Sequence, residues 1–582
     1  MEETYSHGFA APQGAVQEAG KRTADVLVDI LIDAGVEVVF GLPGGAIAPL
    51  NDALLDHPEV RVVTSRHESG AMFAAAAYAR VTGKLGVVFV TSGPGILNAM
   101  TGVASAFCDG MPVLVIVGEV PRSVFGRRAL QEGSSHHLDV ITTCRPITKM
   151  AAQVPISDVA PGMLKRAITT ALSGCRGPVV LTVPLDVMSK TIRGPVLAGE
   201  ATVAHATSSP VMRAVVGEAA KALWSAKRPL IYVGSGCRWG NGPDRVRELA
   251  ERLQAPVMTS PKAKGVFPEG HPLSLGVFGY GGHPSTSAHL ERGVDTLLVL
   301  GSGLGDIATN GWSKLLAPTK HFIQIDADAM QIGRNYPVTV GLVGDAGDVV
   351  GELLEQLPRK VRARREYGIT RYTDAALDEL GPEGQITPMR ALWELQNALP
   401  SNTMFTCDIG EHLLYAIHYL RAEAPHDFQV MTGLGSMGSS IAAAIGARLA
   451  RPDRPAAAVC GDGCFAMNLG DLAVAARDRI PVVVAVLNDE RYGMVEIGHD
   501  TIYGRHPKYP AGPMDVAMMA RSVGADSITI EHNHQISEVD WSGLAAGRPL
   551  VLDIRIDRSV RMPKNGRFDS IGKVATTKSA LN

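Results

Sequence analysis

Two aspartates stand directly after two apolar segments in the last third of the chain. Asp462 lies between two glycines after the apolar residues 456–460, and Asp489 follows the apolar residues 482–487 closely. Neighbouring parallel strands end at one edge of an open α/β sheet, which is where such sheets bind ligands. Mg²⁺ is commonly held by one or two carboxylates together with phosphate oxygens. The spacing therefore predicts a site for a divalent cation and a phosphate-bearing ligand, although Gly-Asp-Gly alone is also a common turn.

The residues around Asp462 strengthen this prediction. Gly461 and Gly463 let the backbone approach a ligand closely because they carry no Cβ. A helical stretch begins near Cys464, and the N-terminal end of a helix favours an anionic phosphate. The sequence therefore predicts that this turn binds phosphate as well as metal.

A third carboxylate, Glu68, belongs to the first part of the chain. It follows an apolar segment, in the run Arg-His-Glu-Ser-Gly at 66–70, and opens an alanine-rich helical stretch. A glutamate at that place can serve as a buried acid, or it can simply interact with the dipole of the helix. A glycine-rich turn at 91–98 follows the next apolar segment.

Helices, strands and glycine turns alternate along the chain, which predicts parallel sheets built from α/β units. We expect an α/β fold with three consecutive doubly wound parallel-sheet domains, at 23–195, 211–355 and 380–560. A flexible tail is expected at 1–22, a linker near 199–210, and a tail or lid at 561–582. Strands are predicted at 36–40, 61–65, 86–91, 113–118, 179–183, 230–234, 257–259, 296–300, 322–325, 403–406, 456–460, 482–487 and 550–556.

Composition argues against several classes of protein. The formal net charge of -3 over 582 residues gives no reason to expect a nucleic-acid or membrane partner. No uncharged apolar run approaches the roughly 18 residues of a membrane helix, and no signal peptide is expected. The seven cysteines form no Cys-x-x-Cys pair, so neither a zinc site nor a disulfide framework is expected. We therefore expect a cytoplasmic enzyme.

These motifs resemble those of the thiamine-diphosphate-dependent enzymes, and in particular those of the acetolactate synthase (acetohydroxyacid synthase) group. Gly-Asp-Gly followed by an asparagine-containing strand end is the signature of that superfamily. The turns at 91–98 and 432–438 and the segments 41–47, 130–132 and 493–495 carry the same resemblance. It covers residues 23–557 and implies pyrimidine-binding, central and diphosphate-binding domains in that order.

The resemblance implies three metal ligands: the side chains of Asp462 and Asp489 and the backbone carbonyl of Arg491. The family usually has asparagine where this chain has Asp489, and Asn488 comes directly before it. Asn488 is therefore the alternative ligand if the register shifts by one residue. A second carboxylate would make the site more negative beside a diphosphate.

The resemblance also implies catalytic and cofactor-binding roles. Glu68 would hydrogen-bond N1′ of the cofactor's aminopyrimidine ring, and Gln131 would face the substrate. The carbonyl of Gly435 would accept a hydrogen bond from the 4′-amino group, and Met437 would support the bent cofactor. The expected cofactor-binding residues are Pro43, Gly44, Asn98, Gly410, Glu411, His412, Gly435, Met437, Gly461, Asp462, Gly463, Cys464, Asp489, Gly493 and Met494.

By this resemblance the chain would be a 2-keto acid decarboxylase and carboligase that adds a pyruvate-derived hydroxyethyl unit to an acceptor carbonyl. Gly498 stands where acetolactate synthases have a tryptophan, and the run 301–306 lacks the arginines of their flavin-binding segment. One alternative is therefore an acyloin synthase or decarboxylase for a bulkier aryl or indolyl 2-keto acid. A non-catalytic regulatory homologue is the alternative of another class.

Thiamine diphosphate and Mg²⁺ are the implied cofactors, and FAD or ADP in the central domain is left open. Lys262 and Lys264 could bind a flavin phosphate or a carboxylate, or could be solvated surface residues, and the segment 324–328 could hold a ribose or adenine. In this family the glutamate and the metal half of one site come from different subunits. A homodimer or homotetramer acting on small-molecule keto acids is therefore implied, without a nucleic-acid or membrane partner.

Overall fold

Three parallel sheets of six strands each form the framework of the molecule. The computed structural model describes residues 20–192, 210–363, 367, 385–532 and 534–560. Helices flank each sheet, so the expected fold of three doubly wound parallel sheets is confirmed. Residues 1–19 of the tail expected at 1–22, the tail at 561–582, and the linker up to residue 209 lie outside the described residues. Among the helices of the described ranges, none is both long and apolar enough to span a membrane.

The first sheet is buried on both faces at its centre. Its strands are β1 (Val38–Gly41), β2 (Arg61–Thr64), β3 (Gly86–Val90), β4 (Val113–Glu119), β5 (Met150–Gln153) and β6 (Val179–Pro184), in the order β2-β1-β3-β4-β6-β5. Its helices are α1 (Thr23–Asp33), α2 (Ala48–Leu54), α3 (Glu68–Thr82), α4 (Pro94–Asp109), α5 (Val140–Cys144), α6 (Ala160–Leu172) and α7 (Leu185–Met188). Val88 and Val90 of β3 enter one core, and Val87 and Phe89 enter the other. This explains the uninterrupted apolar run of the strand.

The second sheet repeats this arrangement. Its strands are β7 (Pro229–Val233), β8 (Val257–Thr259), β9 (Ser274–Val277), β10 (Thr296–Leu300), β11 (His321–Asp326) and β12 (Val340–Val343), in the order β12-β11-β10-β7-β8-β9. Its helices are α8 (Pro210–Ser225), α9 (Gly242–Leu253), α10 (Pro284–Glu291), α11 (Asp306–Thr309) and α12 (Ala346–Gln356). Ile231 and Val233 face one core, and Leu230 and Tyr232 face the other.

The third sheet contains the switch in strand order that creates a crevice. Its strands are β13 (Met404–Cys407), β14 (Phe428–Val430), β15 (Ala456–Gly461), β16 (Val483–Asn488), β17 (Asp526–Ile530) and β18 (Leu550–Arg555), in the order β14-β13-β15-β16-β18-β17. Its helices are α13 (Pro388–Ala398), α14 (Glu411–Tyr419), α15 (Ser440–Ala450), α16 (Asp462–Met467), α17 (Leu469–Arg477), α18 (Gly493–Tyr503), α19 (Val516–Ser522), α20 (His534–Ser537) and α21 (Ser542–Ala545). The chain runs outward in opposite directions from β13 and β15, so the loops after these two strands part and leave room for a ligand.

The first and third sheets share one hydrophobic core. Helices α3 and α15 approach so closely in it that a Cβ on Gly446 would be 2.0 Å from the carbonyl oxygen of Ala74. Arg80 of α3 is 2% exposed and donates hydrogen bonds to the carbonyls of Val430, at 2.7 Å, and Lys262, at 3.2 Å. These contacts fix α3 against the other two domains.

Candidate active site

A cavity of about 210 Å³ lies at the carboxyl-terminal edge of the third sheet. It occupies the crevice beside β13 and β15, and the segment after β16 closes another side. The structure brings together here all the predicted cofactor residues of this domain. They are Gly410, Glu411, His412, Gly435, Met437, Gly461, Asp462, Gly463, Cys464, Asp489, Gly493 and Met494.

Asp462 lines the cavity as the first residue of α16. It is 2% exposed, and its Oδ2 atom is buried without a hydrogen-bond partner. Burial, reinforced by the negative charge of Asp489, raises the pKa of Asp462 to about 7. An unpartnered buried carboxylate oxygen is costly unless a cation binds it, so this atom fits a divalent metal ion.

Asp489, directly after β16, is the second carboxylate in the cavity wall. Its Oδ2 accepts a hydrogen bond from Nε of Arg491 at 2.7 Å, and the two side chains are 9% and 14% exposed. Burial raises the pKa of Asp489, and the bond from Arg491 opposes that rise. The Asn488 side chain instead donates to Oδ1 of Asp553 at 2.8 Å inside the sheet. Of the two candidate ligands, Asp489 is therefore the one that lines the cavity.

The loop between β13 and α14 is held in place by Asp408. This buried carboxylate accepts hydrogen bonds from the backbone amides of Ile409, Gly438 and Ser440 at 2.8, 2.8 and 3.1 Å. His412 is the second residue of α14, directly after this loop, and its Nε2 atom is buried without a hydrogen-bond partner. Burial lowers the pKa of His412 to about 4, against the opposing effect of a hydrogen bond to the backbone of Asp408, so the ring is neutral and carries a single N–H.

The turn at 435–437 is tied to the same loop. Asp408 binds the amide of Gly438, and the side-chain amide of Asn468 donates to the carbonyl of Gly438. Gly435 has a φ of +77°, in the left-handed region that favours glycine. Met437 packs against the shared core and lines the cavity. This turn is thereby held over the cavity from two directions.

Close packing explains the glycines of the cavity wall. A Cβ on Gly463 would be 2.6 Å from the ring of Tyr492, and a Cβ on Gly493 would be 2.5 Å from Oε2 of Glu411. Larger residues at either position would displace these side chains into the cavity. Met494 connects the cavity wall to the central domain, because its Sδ accepts a hydrogen bond from the hydroxyl of Tyr280 at 3.2 Å.

The predicted site residues of the first domain form a second group, at the carboxyl-terminal edge of the first sheet. Glu68 is 7% exposed, and Nδ2 of Asn98 donates to its Oε2 at 3.1 Å. Gly44 and Gln131 pack against the turn at 91–98, and Gln131 is exposed with a φ of +64°. The group consists of Pro43, Gly44, Glu68, Asn98 and Gln131.

The two groups lie apart within one chain. No residue of the described range 20–192 lines the cavity of the third domain. Helix α4 separates them, because Asn98 contacts Glu68 near one end of it, while Asp109 at the other end accepts a hydrogen bond from the amide of Gly433 at 3.0 Å. The residues between Asn98 and Asp109 span about 16 Å of helix. Glu68 and Gly433 are therefore at opposite ends of α4.

Some cavity residues were not predicted as side chains of the site. The Arg491 guanidinium is one of them, and the carboxylate of Asp489, two residues earlier in the sequence, could have indicated that the two side chains pair. The others come from the ends of elements that the sheet order brings together, and no local motif marks them. They include Pro388, Tyr492, Ile556, Asp557, Arg558 and Val560.

Lys262 and Lys264 of the central domain both have carboxylate partners. Lys264 is fully buried, and its Nζ lies 2.5 Å from Oε1 of Glu269. Lys262 donates to Oδ1 of Asp109 at 3.1 Å. The alternative that Lys264 is a solvated surface residue is therefore wrong. In the segment 324–328, the carboxylates also bind amides of their own loop.

Three parts of the chain match successive domains of one enzyme family. Residues 21–139 match the N-terminal TPP binding domain of thiamine pyrophosphate enzymes, residues 216–353 the central domain, and residues 408–554 the C-terminal TPP binding domain. The chain belongs to the thiamine pyrophosphate enzymes. It is 32% identical to a probable acetolactate synthase large subunit of Methanocaldococcus jannaschii, over 94% of this chain and 94% of that one.

Further relatives make this thiamine pyrophosphate enzyme acetolactate-synthase-like. It is 34% identical to an acetolactate synthase large subunit of Mycobacterium tuberculosis, over 91% of this chain and 87% of that one. It is 32% identical to the large subunit of acetolactate synthase isozyme 3 of Escherichia coli, over 92% and 95%. A thiamine diphosphate-dependent 4-hydroxybenzoylformate decarboxylase of Rhodococcus jostii has the same fold, with a TM-score of 0.81 at 23% identity over 92% and 99% of the two chains.

Proposed function

We propose that this enzyme is a thiamine-diphosphate- and Mg²⁺-dependent carboligase that decarboxylates pyruvate and adds the remaining two-carbon unit to an acceptor carbonyl. The observation that carries the proposal is the unpartnered Oδ2 of Asp462 beside Asp489 in the cavity. Within the described ranges, no three His, Cys, Asp or Glu side chains are grouped to hold a metal. The cation would therefore need the carbonyl of Arg491 and diphosphate oxygens to complete its shell, which is the usual way in which Mg²⁺ is bound.

The residues of the cavity have distinct roles in this proposal. Thiamine diphosphate, when bound, supplies the electron sink for the electron pair released as CO₂ leaves the keto acid. His412 and the backbone at 461–463 bind the diphosphate, and Met437 supports the rest of the cofactor. Glu68 holds a proton for the ring nitrogen N1′, and Asn98 orients its carboxyl through the 3.1 Å hydrogen bond. Gln131 contacts the substrate.

The separation of the two residue groups supports a homodimer, or a homotetramer built from such dimers. Glu68 lies at the far end of α4 from Gly433, which belongs to the turn at 432–438. No residue of the described range 20–192, Glu68 included, lines the cavity of its own chain. We therefore propose that Glu68 of one subunit completes the cavity of the partner, so that an isolated subunit has no complete site.

A second candidate function is decarboxylation or acyloin synthesis with a bulkier aryl or indolyl 2-keto acid. Gly498 is buried on α18, one turn after Met494, so it lies on the same face as that cavity residue. A glycine there cannot fill space next to the cavity as a tryptophan side chain would. Comparing turnover of pyruvate, phenylpyruvate and indolepyruvate separates the two candidates.

FAD is the proposed second cofactor of the central domain, with ADP as the alternative. The loops after β7 and β10 meet at the switch point of the second sheet, which is the usual place for a nucleotide. In those loops a Cβ on Gly234 would be 2.2 Å from the carbonyl oxygen of Gly301, so the backbones are in close contact. Visible absorbance of the purified enzyme and analysis of released nucleotide test this proposal.

The main test is an assay of CO₂ release and product identity with pyruvate, with and without thiamine diphosphate and Mg²⁺. We expect acetolactate-type products that require both cofactors, and loss of most activity in Glu68→Gln. Binding of the cofactor without any reaction of pyruvate would refute the choice of donor. Absence of cofactor-dependent turnover across all three keto acids would refute the catalytic proposal as a whole.

A further inference from the structure

The metal cavity has an imbalance of charge. Four carboxylates, those of Glu411, Asp462, Asp489 and Asp557, line a space of about 210 Å³. In the proposed function this space also receives the diphosphate of the cofactor, and one divalent cation cannot neutralise all of these negative charges. Because uncompensated charge in a buried site is costly, the cavity needs a fixed positive charge of its own.

Arg491 supplies a positive charge at the required place. Its Nε donates to Oδ2 of Asp489 at 2.7 Å, its Nη2 donates to the carbonyl of Arg558 at 2.8 Å, and its Nη1 lies farther, at 3.8 Å, from Oε2 of Glu496. Among the described residues that line the cavity, Arg491 and Arg558 are cationic. Arg558 is exposed to solvent, whereas the side chain of Arg491 is largely buried, at 14% exposure. The second hydrogen bond holds the guanidinium in one orientation on the carboxylate.

We infer that Arg491 is a positioning residue that neutralises Asp489, so that this carboxylate can serve the metal site without adding net negative charge beside the diphosphate. The inference rests on the proposed function. A carboxylate can accept several bonds, so the hydrogen bond to Arg491 leaves Asp489 with capacity for a cation. The pair thus acts as a neutral oxygen donor of fixed orientation.

If Arg491 has this role, its removal should change the affinities for the metal ion and for thiamine diphosphate in opposite directions. Arg491→Met keeps the backbone carbonyl but leaves Asp489 uncompensated. The variant should bind Mn²⁺ about tenfold more tightly in the absence of cofactor, and thiamine diphosphate about 10–100-fold more weakly at saturating Mg²⁺, the range typical of residues that orient metal ligands. A merely structural role for Arg491 would weaken the binding of both.

The test uses the full-length, cofactor-free enzyme. Mn²⁺ binding is measured from the electron paramagnetic resonance signal of free Mn²⁺, and thiamine diphosphate binding from quenching of tryptophan fluorescence. The double variant Asp489→Asn/Arg491→Met removes both charges and should return both affinities to within about threefold of wild type. Arg548→Met is the matched control, because it breaks an exposed Nε–Oδ2 pair with Asp526 at 2.8 Å in the same domain, and it should change neither affinity.

The inference is overturned if Arg491→Met weakens the binding of both ligands or of neither. It is also overturned if the double variant binds thiamine diphosphate as poorly as Arg491→Met does, since Arg491 would then contact the diphosphate itself. If Arg491→Met does not fold, Asp489→Asn is compared with the double variant. Asp489→Asn should then bind Mn²⁺ more weakly than the double variant, and equal binding overturns the inference. Failure of the wild-type enzyme to bind either ligand would refute the proposed function instead.

Discussion

Gly446→Ala should impair the enzyme although this residue is outside the cavity. The new Cβ would be 2.0 Å from the carbonyl oxygen of Ala74, whereas real contacts of this kind are rarely under 3.0 Å. Helices α3 and α15 must therefore separate by about 1 Å, and such overpacking costs about 1–3 kcal/mol. Alanine favours a helix by about 1 kcal/mol over glycine, so the net expected loss of stability is up to about 2 kcal/mol. Helix propensity alone would predict the opposite sign.

The same displacement should reduce turnover, because α3 begins at Glu68. A misplacement of about 1 Å in a catalytic group can lower the rate about 10²-fold. Thermal denaturation and steady-state turnover measure the two effects. The control is Gly162→Ala in α6, where a Cβ would have no neighbour within 4 Å, and this variant should be at least as stable and as active as wild type. A Gly446→Ala enzyme that matches the control would refute the packing argument.

Two further predictions concern buried charges outside the cavity wall. Burial raises the pKa of Asp471 to about 7 from an ordinary 3.8, so its stabilising contribution is present below about pH 4 and is lost as the pH rises through about 7. The loss is on the order of 4 kcal/mol at most, at 1.36 kcal/mol per pH unit. Asp471→Asn should therefore flatten the fall of the urea-unfolding free energy between these pH values, and an unchanged slope would contradict the assignment. Lys264→Met should lower the unfolding free energy by about 3–5 kcal/mol because it leaves Glu269 buried without its cation. Adding Glu269→Met should recover most of that loss. Equal stability of Lys264→Met and wild type in denaturant titrations would contradict this role of the pair.

The sequence was sufficient to predict the fold class because the central strands are buried on both faces. Such strands read as continuous apolar runs, as in β3 and β16, and these were all predicted. The strands that the pattern missed are β5, β9, β12, β14 and β17, and every one of them lies at the edge of its sheet. Edge strands are short or partly exposed, as β14 and β12 show, so their apolar signal is weak.

Within the third domain, the sequence was also informative about the site. The Gly-Asp-Gly turn and the next strand end were expected to meet because neighbouring parallel strands finish at one edge, and Asp462 and Asp489 line one cavity. The choice between Asn488 and Asp489 could not be made from the sequence, because it depends on the hydrogen bond from Asn488 to Asp553, a residue of another strand.

Long-range packing is the part that the sequence could not show. No local pattern indicates that α3 packs on α15, or that Glu68 and Gly433 lie at opposite ends of α4. The burial of Lys264 could not be predicted locally either. Its partner Glu269 is close in sequence, but the apolar residues that surround the pair are brought there by the fold. These features depend on how the domains pack together, and local propensities carry no information about that.

The most direct test of the account is complementation between two inactive variants. Glu68→Gln and Asp462→Asn should each lose most activity, because each damages a different half of the site. If the halves come from two subunits, mixing the unfolded variants in equal amounts and refolding them should restore about a quarter of wild-type turnover, since half of the dimers then contain one intact site of two. If both halves belonged to one chain, no mixed dimer would contain an intact site, and the absence of recovered turnover would contradict the account.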